Sequence, residues 1–155
     1  MLKYIQGDIT EIESGIICQQ VNCQSVMGSG LAKAIRDKWP KVFDEYKTFL
    51  NTHTYSARFN CLGRVCYYSP SKDIIIANVY GQFNYGREDK RYTNYAALFK
   101  GLCDIVDMYS CSDNKIYVPK NIGCGLAHGN WEFVEEYLKD LSEMYHKDIY
   151  IVEKV

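Results

Sequence analysis

The chain has 155 residues, 47% of them hydrophobic and 24% charged, and carries a formal net charge of -1. That length suits one domain around one core, so residues 1–155 are expected to fold as a unit. The near-neutral balance excludes the concentrated basic surface of a general nucleic-acid binder, and no apolar run approaches the length needed to span a membrane.

In chain order, Leu2 to Ile5 reads as a short strand closed by Gly7-Asp8, and Gly15 to Val21 as a second strand. Cys23 to Gly30 is a loop of turn composition. Leu31, Ile35 and Trp39 repeat at helical spacing until Trp39-Pro40 breaks the helix, because proline disfavours helical geometry in the residue before it. Val42, Phe43, Tyr46 and Leu50 mark a second helix. Leu62 to Tyr68 and Asp73 to Val79 are expected to pair, the latter as a nearly all-apolar central strand. Gly81 to Thr93 is a long polar loop, and Leu98, Leu102, Ile105, Val106 and Tyr109 mark a third helix. Ile116 to Pro119 is another central strand, followed by a loop from Asn121 to Asn130. Asn130 is placed to cap a last helix with the stripe Trp131, Val134, Leu138, Leu141 and Tyr145, before a final strand from Asp148 to Glu153. Such alternation predicts an α/β fold with a mostly parallel sheet covered by helices on both faces, and ligands then bind beyond the carboxyl ends of the strands.

The seven cysteines, at positions 18, 23, 61, 66, 103, 111 and 124, form no Cys-x-x-Cys pair and no Cys/His cluster with zinc spacing. They read as small core residues in a reducing cytoplasm, consistent with the absence of a basic-then-apolar leader, and no metal or cofactor is implied. The fourteen tyrosines are spread along the chain as half-buried packing groups. Arg87, Lys90 and Arg91 form the one tight basic cluster, diluted by Glu88 and Asp89.

Two loops are alike. Gly28-Ser29-Gly30 and Gly123-Cys124-Gly125 each follow a strand and precede a helix. Glycines let successive N–H groups converge on one concavity, and the helix N-terminus behind adds partial positive charge, so two such loops can hold a diphosphate. Either loop alone is equally well explained as a tight strand-to-helix turn. Neither has the third glycine of the dinucleotide fingerprint: Lys33 and His128 stand in that place. Asp8, after the first strand, can accept from an exocyclic amine or serve as a turn residue. Asn22 can grip a ribose diol or hold its own loop, and Gln19, Gln20 and Gln24 surround it. His128 is a candidate general acid or base, whereas His53 and His146 look like helix-end surface groups. Cys124 has no identifiable base beside it and is expected to pack. Gly125 is expected to need positive φ.

Three ordered blocks spanning essentially the whole chain resemble a macrodomain. They are Gly7-Asp8-Ile9-Thr10, then Val21-Asn22-Cys23 with Met27-Gly28-Ser29-Gly30-Leu31-Ala32, then Pro119 to Leu126 with Trp131 beyond. The resemblance is to the branch containing terminal ADP-ribose protein glycohydrolases, DNA-ADP-ribose glycohydrolase antitoxins and the yeast-type ADP-ribose 1″-phosphate phosphatase. It implies a three-layer α/β/α fold with a mixed, mostly parallel six-stranded sheet. It places adenine at Asp8 and the Ile9 backbone, and the distal ribose at Asn22. It places the diphosphate between Met27, Gly28, Ser29, Gly30 and Leu31 on one side and Ile122, Gly123, Cys124, Gly125 and Leu126 on the other.

The sequence departs from the glycohydrolase branch at two positions. Gln82 falls near the place of that branch's lysine, and Ala127 where the branch can carry an aspartate. An amide cannot form the covalent sugar adduct that a lysine can, so catalysis would rest on bound water, substrate phosphate, Asn22, Gln82 or His128. The expectation is a cytoplasmic monomer that binds ADP-ribose or a derivative and hydrolyses a 1″-linked group, most concretely ADP-ribose 1″-phosphate. The competing reading is a non-catalytic reader of ADP-ribosylated macromolecules or a nucleotide-signal sponge. A weaker third is glycohydrolase action on protein or DNA.

Overall fold

The computed structural model describes residues 1–52 and 55–155; His53 lies outside them. Six strands form one sheet: β1 (Leu2–Gln6), β2 (Gly15–Val21), β3 (Val65–Ser71), β4 (Ile74–Tyr80), β5 (Ile116–Pro119) and β6 (Ile149–Glu153). Their order is β1-β6-β5-β2-β4-β3. Only β3 runs antiparallel, pairing with β4; the other neighbours are parallel. The sheet is therefore mixed and mostly parallel, and the carboxyl ends of five strands open on one rim.

Four helices cover it: α1 (Gly30–Lys38), α2 (Pro40–Asn51), α3 (Tyr95–Tyr109) and α4 (Trp131–Tyr145). Successive strand side chains point to opposite faces, and the core divides accordingly. Ile16, Cys18, Ala77, Val79, Ile116 and Val118 pack with Leu98, Leu102, Ile105, Val134 and Leu138 of α3 and α4. Ile17, Val21, Ile76 and Tyr80 pack with Ile35, Val42, Tyr46 and Leu50 of α1 and α2. The central β2 is buried on both faces, which is why it reads as a nearly unbroken apolar run until Gln19 and Gln20.

The punctuation is local. Trp39 leaves helical geometry (φ -131°, ψ 79°) and Pro40 then opens α2 at the one helical position where its missing N–H costs nothing. Asn130 caps α4 as expected, its side chain accepting from Phe133 N at 3.3 Å. Asn94 does the same for α3, accepting from Ala97 N at 3.0 Å, so that helix begins at Tyr95, ahead of its apolar stripe. Two short 3₁₀ turns, Ile9–Glu11 and Tyr55–Cys61, carry no periodic signal, and the second delays the start of β3 to Val65. His146, exposed, closes α4 in a left-handed conformation with φ 51°.

Candidate functional site

A cleft of about 570 Å³ lies beyond the carboxyl ends of β2, β4 and β5, a size typical of small-molecule sites. Both glycine loops face it. Asn22, Met27, Gly28, Ser29, Gly30 and Leu31 line one side, and Ile122, Gly123, Gly125 and Leu126 the other. Gln82 contributes from the segment after β4. Tyr85, Gly86 and Arg87 line it from the same segment, and Lys120 and Asn121 from the end of β5.

The first loop opens its backbone donors to this space. Ser29 occupies the N-cap position of α1 but its side chain makes no capping bond, and the first turn holds no acidic residue. Among the described residues, the N–H groups of Met27, Gly28, Leu31 and Ala32 have no hydrogen-bond acceptor. The second loop is similar. Cys124 N bonds Asn121 O at 2.8 Å and His128 N bonds Gly125 O at 3.0 Å, but Gly125, Leu126 and Ala127 N–H are unmatched among the described residues. Two sets of unmatched donors at one cavity, one of them at a helix N-terminus, suit an anion.

The charge of the lining agrees. It contains no carboxylate, imidazole or thiol, and its two cations are Arg87 and Lys120. Lys120 is paired with Glu153 at the rim. A lining without any acid, in a chain with 19 acidic residues, offers an anion no like charge.

The two glycine loops differ in what their glycines do. Positive φ belongs to Gly123 (70°), not to Gly125 as expected. A side chain on Gly123 would also press on Gln20 Oε1, Thr93 Oγ1 and Leu98 at 2.9–3.2 Å. A Cβ on Gly125, which lines the cleft, would meet nothing within 4 Å. Gly30 (φ 59°) likewise faces open space.

The Asn22 carboxamide is largely spent on its own loop. Its Nδ2 donates to Val26 O at 2.9 Å, and its Oδ1 accepts from Gln24 N at 2.9 Å and from Tyr46 Oη at 2.7 Å. One N–H of the carboxamide has no acceptor among the described residues. Gln82 is held similarly, Nε2 donating to Asn84 O at 2.8 Å and Oε1 accepting from Gln20 Nε2 at 2.7 Å. Both amides are fixed in orientation, which suits positioning a sugar, and neither ionises.

Four expected site residues do not line the cleft. Asp8 sits exposed on the same rim, two strands beyond β5, where its Oδ1 accepts from Thr10 N at 2.9 Å and Thr10 Oγ1 at 2.7 Å. Those two bonds, the hydroxyl's first, hold its carboxyl below the usual carboxylate range. The Ile9 side chain belongs to the core. His128 adopts φ 58° in the turn closing the second loop, exposed, with Nδ1 3.9 Å from Asp89 Oδ1, and is not among the residues lining the cleft. Cys124 turns its Sγ to Ile122 O at 3.2 Å, and burial pushes its thiol up to about 11, which favours the less reactive protonated form.

The residues missed from the sequence are supports. Tyr46, fully buried on α2, donates to Asn22 and receives Val26 N at 3.2 Å. On a sequence it is one more residue of an apolar stripe. Thr93, also buried, links Gln20 to the second loop. Arg87 was visible only as part of a basic cluster.

The architecture and the position of this cleft define the macrodomain fold. No family model matches the chain. It is 29% identical to an uncharacterized 17.5 kDa protein of the tk-vs intergenic region of Enterobacteria phage T4, across 92% of this chain and 90% of that one. It is 27% identical to an ADP-ribose 1″-phosphate phosphatase of Candida albicans, across 98% of this chain and the whole of the other. Among solved structures, a Bacteroides thetaiotaomicron protein of unknown function superposes with a TM-score of 0.84 at 25% identity, covering 100% of this chain and 98% of that one. A macrodomain protein from Streptomyces coelicolor gives 0.79 at 21%, covering 98% of each. Thermosipho africanus DarTG, solved in complex with ADP-ribose, gives 0.73 at 18%, covering 97% of this chain and 41% of that one.

Proposed function

We propose that this protein binds ADP-ribose or a close derivative in the cleft and hydrolyses a group linked at the 1″ position, most concretely the phosphate of ADP-ribose 1″-phosphate. The observation that carries this reading is the pair of loops with unmatched N–H groups facing one carboxylate-free cavity. The diphosphate lies between the loops 27–31 and 122–126, adenine extends toward the Asp8 carboxylate, and the distal ribose toward Asn22 and Gln82. The likeness to the Candida phosphatase and to the ADP-ribose-bound DarTG supports the ligand class.

The chemistry is hydrolysis by positioning. A water oxygen bonds to phosphorus, the phosphorus–O1″ bond breaks, and the water proton passes through a phosphate oxygen to the departing ribose hydroxyl. The protein's share is to hold substrate and water in reacting geometry and to stabilise the phosphate charge with fixed donors. Release of ADP-ribose from modified glutamates is not expected, because Gln82 and Ala127 supply neither a nucleophile nor a carboxylate.

A second reading has its own observation: the lining contains no carboxylate, imidazole or thiol, which suits a reader or sponge equally well. Incubation with a panel of ADP-ribose derivatives, separated by thin-layer chromatography, decides between them. Phosphate released from ADP-ribose 1″-phosphate supports the hydrolase. Tight binding without turnover of any derivative leaves the reader.

A further inference from the structure

The loop between β4 and α3 carries Arg87, Glu88, Asp89, Lys90 and Arg91, five charges that the fold separates. Lys90 pairs with Glu88 at 3.4 Å and lies over the Tyr92 ring. Arg91 sits over Tyr95, 4.5 Å from its centroid. Asp89 turns toward His128. Arg87 is what remains: among the described residues it has no carboxylate, hydrogen-bond or aromatic partner, it is exposed, and it lines the cleft. Gly86, just before Arg87, packs under the Tyr92 ring, whose hydroxyl would overlap a Cβ placed there.

Arg87 reaches the cleft from the segment between β4 and α3, as Gln82 does. That segment folds back against the loop after β5, where Tyr92 N and Thr93 N bond Ala127 O at 2.8 and 3.2 Å. Asp8 lies outside the cleft lining, so the charges a ligand meets in the cleft are the unpaired Arg87 guanidinium and Lys120, the latter matched by Glu153.

Resting on the function proposed above, we propose that Arg87 is a specificity-determining residue for a phosphate monoester on the ribose end of the ligand. A guanidinium offers planar, paired donors that match phosphate oxygens, and with no acid in the lining its charge is not already neutralised. The diphosphate is held by backbone donors of the two loops and does not need Arg87. The side chain thus sorts phosphorylated from unphosphorylated ADP-ribose.

The test is a ratio. Affinities for ADP-ribose and for ADP-ribose 1″-phosphate (Kd, or KM where phosphate is released) are measured on wild type, Arg87→Ala and Arg87→Lys, with circular dichroism to verify folding. The wild type is expected to favour the phosphorylated ligand. Arg87→Ala should reduce that preference roughly ten- to hundredfold, the effect of one charge-assisted hydrogen-bonded pair, and Arg87→Lys should restore part of it. An unchanged ratio in Arg87→Ala, or an equal loss for both ligands, overturns the proposal while leaving the cleft assignment standing. A wild type that binds neither ligand overturns the cleft assignment, and the role of Arg87 with it.

Discussion

Gln20 Nε2 donates to Thr93 Oγ1 at 2.9 Å, and Thr93 Oγ1 donates onward to Gly123 O at 2.5 Å. This short relay ties the end of β2, from which the first glycine loop departs, to the second glycine loop. Thr93 is buried, and valine would match its shape while breaking both links. Thr93→Val should cost roughly 1–3 kcal/mol in denaturant unfolding, the penalty for stranding buried partners. It should also weaken ligand binding without touching the ligand. Unchanged stability and affinity would mean that the second loop holds itself.

Tyr46 offers a parallel case on the other loop. Its hydroxyl reaches Asn22 O at 2.8 Å and Oδ1 at 2.7 Å, and burial raises its pKa well above the ordinary phenol value, so it remains a neutral donor. Tyr46→Phe should destabilise by roughly 1–2 kcal/mol and raise the ligand Kd or KM by freeing the Asn22 carboxamide. Asn22→Ala should act more strongly, since it removes the loop's anchor and the remaining amide N–H together. Comparing the two by calorimetry separates holding the loop from touching the sugar.

The glycines divide by mechanism. Gly125→Val places a branched side chain in open cleft without backbone strain, so binding should be abolished with the melting temperature little changed. Gly123→Ala combines positive φ with close neighbours and should cost roughly 1 kcal/mol or more in stability. If Gly125→Val unfolds the protein, that loop is structural and not a wall of the site.

Much of the fold was legible because its signals are local. β2 spans the predicted Gly15 to Val21, the break at Trp39-Pro40 lies where proline forces it, and Asn130 caps α4. Both glycine loops face the cleft their spacing suggested. What the sequence hid depends on direction. His128 lies three residues past Gly125, but a left-handed turn swings its ring toward Asp89. Tyr46 and Thr93 are supports reached across the fold, from α2 and from the segment before α3, and no spacing rule announces them. His128→Ala should therefore leave turnover within about threefold, far from the roughly 10²–10⁴-fold loss that removing an acid–base group causes.

The cysteines give a pH prediction. Burial pushes the thiols of Cys18 and Cys23 up to about 12, and those of Cys66 and Cys124 up to about 11. A raised thiol pKa keeps the unreactive protonated form until pH approaches that value. At pH 7.5 iodoacetamide should modify the exposed Cys111 first, leaving Cys124 intact, as intact-mass and peptide analysis would report. Rapid loss of ligand binding through Cys124 alkylation would contradict its packing role.

The most direct measurement compares ADP-ribose with its two halves by calorimetry. In the pose proposed above, only the whole ligand spans both glycine loops. ADP-ribose should bind far more tightly than AMP or ribose 5-phosphate. Equal affinity for AMP and ADP-ribose would contradict a cleft built to hold a diphosphate between two loops.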